Sequence, residues 1–218
     1  MEKAEIISVA VAVLLMAVII SFVGGVFSPS VLFSSLVISA IVIGISVCSK
    51  NLEAGHLDIS LTHKTWEFQR YGIIKQSKFK NPAPVGLFVP PLLALISSAM
   101  SIGGVVKFLA LLQFESKALP SKAAKKYGLR RYSGIMEWDD ALIVFYSAAP
   151  LMLLAVIANA FSSAVFLQDL AKYSMIYVIS NLLPISKLDG TKLFFGSRPL
   201  FIFSWILVVV VSALVFLV

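Results

Sequence analysis

The sequence predicts an all-α polytopic membrane protein, a single membrane domain over residues 1–218, with about five transmembrane helices and one re-entrant helix or β element. Three observations predict it. Hydrophobic residues make up 59% of the 218 residues, above the roughly 45–50% of soluble domains. They gather into runs long enough for the ~20 residues that a bilayer crossing needs. The formal charge of +7 resides between those runs, where it reads as membrane orientation and attraction to anionic headgroups. The basic residues sit in loops between apolar segments and form no nucleic-acid module, so the expected partner is the lipid bilayer and not nucleic acid. The single cysteine, Cys48, excludes an intrachain disulfide and a Cys-x-x-Cys metal pair.

The first span is residues 6–26, longer than a signal-peptide core and without its small-residue cleavage site. Phe27 to Ser30 is an uncharged turn with Pro29, and residues 31–49 form a second span stopped by Lys50 and Asn51. The two make a hairpin whose second member runs from outside to cytosol. Residues 50–84 read as a cytosolic or interfacial loop, with Trp66, Phe68 and Tyr71 among basic residues Lys64, Arg70, Lys75, Lys78 and Lys80.

Residues 85–114 are long enough to span but contain Pro90, Pro91, Gly103 and Gly104. Counted as one crossing, they would put two strongly basic loops on opposite faces. A re-entrant element, with Leu87 to Ile102 dipping in as a helix and Val105 to Phe114 returning, keeps both on the cytosolic side. The second of these loops, residues 115–139, carries Lys117, Lys122, Lys125, Lys126, Arg130 and Arg131. Acidic residues from Glu137 then suit a helix amino terminus, and residues 140–161 form a span. Residues 173–190 return toward the cytosol and residues 200–218 leave again.

The 173–190 segment ends in NLLPISKLDG, Asn181 to Gly190. Pro184 lacks an N–H, so the helix bends here, and irregular backbone at membrane depth survives only where protein or water covers it. Asp189 is then a candidate site residue, because a carboxylate within the bilayer pairs, binds a cation or stays protonated. The competing reading ends the helix by Ser186 and makes Lys187, Asp189 and Lys192 its wet cytosolic cap.

Asn181, Pro184, Asp189 and Gly190 fit the Asn-x-x-Pro-x-x-x-x-Asp-Gly motif of the site-2 protease family of intramembrane zinc metalloproteases, and the LDGTKLFFGSRP run resembles the carboxyl end of its small archaeal members. The resemblance implies a site-2 protease-like core, Asp189 as third zinc ligand and a re-entrant β element that guides an unwound substrate strand by edge pairing. It also implies a His-Glu-x-x-His motif near the end of the second span, which is not intact here. One register puts Ile45, Ser46 and Ser49 at the three positions. Another, Leu52 to His56, keeps Glu53 and His56, while His63 as second histidine leaves Ile59 and Ser60 at the other two. The family's Gly-Pro-x-x-Asn motif reads Ala149, Pro150 and Leu153, without the asparagine.

A catalytic zinc takes three protein ligands and a water, and Asp189 with His56 gives too few. The favoured expectation is therefore a pseudoprotease: a multi-pass protein that binds transmembrane segments or a membrane partner in the old substrate groove, without proteolysis and with no cofactor expected. The alternative is an active zinc metalloprotease with Glu53 as base, His56 and Asp189 as ligands, and His63 or Asp58 completing the set. A third reading is an ion- or proton-coupled carrier built on Asp189, which lacks the paired broken helices of transporters.

Overall fold

The computed structural model describes residues 3–23, 26–68, 83–99, 107–119, 137–161 and 164–217. Tyr71, Gly103, Gly104 and the basic residues at 70, 75, 78, 80, 122, 125, 126, 130 and 131 lie outside them.

Most described residues are helical, and four segments are long and apolar enough to cross a membrane: Ala4–Ser21, Pro29–His56, Glu137–Ala160 and Arg198–Phe216. Helix α1 (Lys3–Ser21) and helix α2 (Leu32–His56) form the expected hairpin, closed by a small pairing of β1 (Phe22–Val23) with β2 (Val26–Phe27). Buried serines let the two helices approach closely, as small residues do in membranes. Ser35 Oγ donates to the carbonyl of Ala17 across the contact at 3.0 Å. Helix α2 runs past Ser49 to His56 because Lys50 is buried among protein groups and does not mark a watery end.

Strand β3 (Ile59–Thr65) follows, in a stretch whose poor alternation reads as loop, and pairs antiparallel with β4 (Leu112–Ala118). Between them helix α3 (Val85–Ala99) keeps Pro90 and Pro91 inside it. The chain from Lys107 to Leu119 then runs the length of the hairpin. At one end Lys107 Nζ donates to the Ile20 carbonyl in the last turn of α1 at 3.1 Å, and at the other the Leu119 N–H donates to the Asp58 carbonyl, just past α2. Partway along, the Leu109 N–H donates to Ser180 Oγ at 3.1 Å.

Helix α4 (Glu137–Ala160) carries three acids in its first turn, where they complement the helix dipole. Helix α5 (Val165–Leu182) takes in Asp169 and Lys172. It is not among the four candidate spans, and it stops at Leu182, two residues before Pro184. An irregular turn follows, with Ser186 at φ 54°, and then the short helix α6 (Asp189–Gly196). Residues 173–190 are thus a helix, a break and a new helix start. Helix α7 (Arg198–Leu217) closes the fold and shows Ile202, Phe203, Ile206, Val209 and Val210 on its outer surface, as a lipid-facing helix does. The continuous apolar core joins α1, α2, α4 and α5 through residues such as Met16, Ile43, Ile143, Leu151 and Met175.

Candidate functional site

Asp189 opens α6 and is buried, 4% exposed. Its Oδ2 takes a hydrogen-bonded ion pair from Lys50 Nζ at 2.5 Å, and Lys50 is itself only 2% exposed. The carboxylate is therefore neither a wet cap nor paired with Lys187 or Lys192. One turn before Lys50, Ser46 Oγ accepts from the Tyr177 hydroxyl at 3.3 Å. Tyr177 in turn gives its carbonyl to Asn181 Nδ2 at 2.9 Å. Ser46, Ser147, Tyr177, Asn181 and Asp189 line a cavity of about 10 Å³, close to the least space that holds one water. Asp189 Oδ1 and Asn181 Oδ1 are buried acceptors without partners among the described residues.

A second ion pair lies alongside. Lys192 Nζ meets Asp140 Oδ2 at 3.2 Å and sits 3.5 Å from the ring centroid of Phe114, while Lys50 Nζ is 5.2 Å from the same centroid. Phe114 pairs across the strands with His63, which is 1% exposed. His63 Nε2 is 3.2 Å from Asn51 Oδ1, and the His63 N–H donates to Glu5 Oε1 at 3.1 Å. Burial, then the charges of Lys50 and Lys192, push the imidazole down from its ordinary 6.5 to about 3.

This gives a pH prediction. Between those two values the unfolded chain binds a proton that the folded protein refuses, so stability falls as pH falls. Acidification from pH 7 to pH 5 should cost about 2 kcal/mol through His63. Denaturation of the detergent-solubilised protein at both pH values, beside His63→Gln, checks it. An undiminished slope in His63→Gln would assign the effect elsewhere.

The motif residues fall in different places. Asn181 is buried at the end of α5, and Gly190 in the first turn of α6 lies against the Leu182 and Leu183 backbone. Pro184 sits in the break. On α2, the two residues at helical i, i+4 spacing that the structure brings to the Asn181–Asp189 region are Ser46 and Lys50, a register offset from both Ile45–Ser49 and Leu52–His56. His56 ends α2 in an exposed position, Glu53 is half-buried near it, and Leu153 on α4 is 61% exposed. Among the described residues, no three His, Cys, Asp or Glu side chains gather as a metal-binding group. A zinc ion does not fit this donor set, because an ammonium holds the carboxylate and a hydroxyl stands one turn before it.

The sequence reading missed Lys50, Phe114, Lys192 and Asp140 as site residues. The available signal was a polar stripe on α2, formed by Ser35, Ser39, Ser46 and Lys50 at spacings of four and seven on one helical face. Comparison of the chain with models of known families, with curated proteins and with solved structures gives no match.

Proposed function

We propose that this is a site-2-protease-like membrane protein that retains a segment-binding groove without peptide hydrolysis, with the Lys117 and Lys187 end toward the cytosol. The observation that carries the reading is the buried Lys50–Asp189 pair. An ammonium donates three hydrogen bonds and offers no lone pair, so the α2 position that meets the carboxylate neutralises it where a metal ligand would be needed. Such a pair fixes α2 against the start of α6 and supplies no activated water.

Binding is supported by β4, which among the described residues pairs only with β3 and borders an open groove. The His63 N–H goes to Glu5 and the Trp66 N–H to the Leu111 carbonyl, which fixes the alternation of the ladder. Leu112, Phe114 and Ser116 therefore direct their main-chain N–H and C=O away from β3; Leu112 and Phe114 are buried, so of the three it is Ser116 that presents these groups to an occupant. An open groove of about 490 Å³ lies along this strand, walled opposite by residues of the 186–192 segment. An extended segment of a membrane partner can add there as a third strand, which is the way exposed sheet edges recognise peptides.

The test is to rebuild the missing ligands. The S46H/K50H variant puts two imidazoles on the face that meets Asp189, and it should take up stoichiometric zinc in metal analysis, while the native protein and S46H/K50H/D189N should not. No uptake by S46H/K50H would show that this helix face is not laid out as a ligand face. Stoichiometric zinc in the native protein, lost in His56→Ala and in Asp189→Asn and accompanied by cleavage that needs Glu53, would overturn the proposal in favour of an active protease.

A further inference from the structure

From the lining of the β4 groove we infer that the segment docking there is acidic, an inference that rests on the groove reading above. The wall opposite β4 and the strand itself contribute Lys117, Lys187 and Lys192 together with the hydroxyls of Ser116, Ser186 and Thr191. Among the described residues of that lining Glu115 is the one carboxylate; it is engaged by Lys64 at 2.7 Å and lies in the field of Lys117 and Lys187 as well. Lys192 is partly neutralised by Asp140, which leaves Lys117 and Lys187 as the cations the groove offers to an occupant. Lys117 is exposed and Lys187 half-buried, so both reach an occupant without loss of a buried partner.

Two further groups point the same way. Gln113 is 1% exposed and its Nε2 lacks an acceptor among the described residues, while its Oε1 already accepts from the Glu67 N–H. Thr191 Oγ1 is likewise buried without a partner there. Gln113 Nε2 is thus a donor without an acceptor at the groove wall, and the Thr191 hydroxyl can serve as a second. Main-chain carbonyls of an added strand supply some of the acceptors, and Asp or Glu side chains along it supply the rest while neutralising the lysines. A basic segment would meet like charge, so the groove also selects against the wrong partner.

The experiment uses the purified full-length protein in neutral detergent and three fluorescent probes of equal length and β-branched composition, with glutamate, glutamine or lysine at alternate positions. Fluorescence anisotropy should rank them glutamate, glutamine, lysine in affinity, with the glutamate advantage shrinking as salt rises. In K117Q/K187Q the glutamate probe should weaken roughly fivefold more than the glutamine probe does. Main-chain N-methylation of the probe should abolish binding, because it removes the strand pairing.

Equal binding of the three probes, still sensitive to N-methylation, would overturn the acidic preference and leave the groove reading standing. Absence of binding by every probe would end both. If anionic-lipid micelles displace the glutamate probe and soluble glutamate-rich peptide without β-branched residues does not compete, the lysines serve a lipid headgroup and the inference fails.

Discussion

Lys50→Met should destabilise the protein by about 3–5 kcal/mol, because it leaves the Asp189 carboxylate buried without its counter-charge. Desolvation makes each ion of such a pair expensive alone, and their attraction repays the cost only while both are present. The double variant K50M/D189L should recover most of that loss, since replacement of a buried ion pair by apolar side chains of similar volume is about neutral or stabilising. Denaturant titration in detergent of the two single variants and the double variant gives the coupling between the residues directly. Additive losses would mean that Lys50 and Asp189 act independently, and would remove the basis for calling the pair a locked site.

Gly190→Ala should cost more than about 4–5 kcal/mol or prevent folding, which is beyond the usual range for one added methyl. A Cβ on Gly190 would collide with the carbonyl of Leu182 and the backbone of Leu183, neither of which can yield as a flexible side chain would. The collision lies where α5 stops and α6 starts, so relief requires the break to open and Asp189 to move away from Lys50. Gly44→Ala is the matched control. Nothing lies within 4 Å of a Cβ at Gly44, inside α2, and the change should leave stability equal or up to about 1 kcal/mol higher. Similar losses in both variants would point to a general intolerance of substitution rather than to the break.

Composition and run length suffice for a membrane protein with spanning helices, since the bilayer imposes a length and polarity on each crossing. Asp189 stood out because a carboxylate after a proline in an apolar region needs an explanation. Its partner did not, because a lysine at the end of an apolar run reads locally as an anchor at the water interface. Only the Lys50–Asp189 contact between α2 and α6, which joins residues 139 apart in sequence, shows that Lys50 points inward.

The same limit applies elsewhere. Strand β3 was hidden because alternation reports one wet face and one dry face, whereas His63 is buried by α1 and α2 from the side that a lone hairpin would leave exposed. Matching letters one at a time along α2 also passes over the face that meets Asp189. The helical stripe of serines ending at Lys50 would have chosen the face.

The two ion pairs also key a very short helix. At eight residues, α6 is too short to hold its own direction, and isolated helices of this length are marginal in water. It carries Asp189 in its first turn and Lys192 three residues later; the first plugs into Lys50 on α2, the second into Asp140 on α4. The two pins have opposite polarity and so do their sockets. Reversed end for end, α6 would set carboxylate against carboxylate and ammonium against ammonium, so the piece fits one way round, and α2 and α4 are held in register by a connector that touches both.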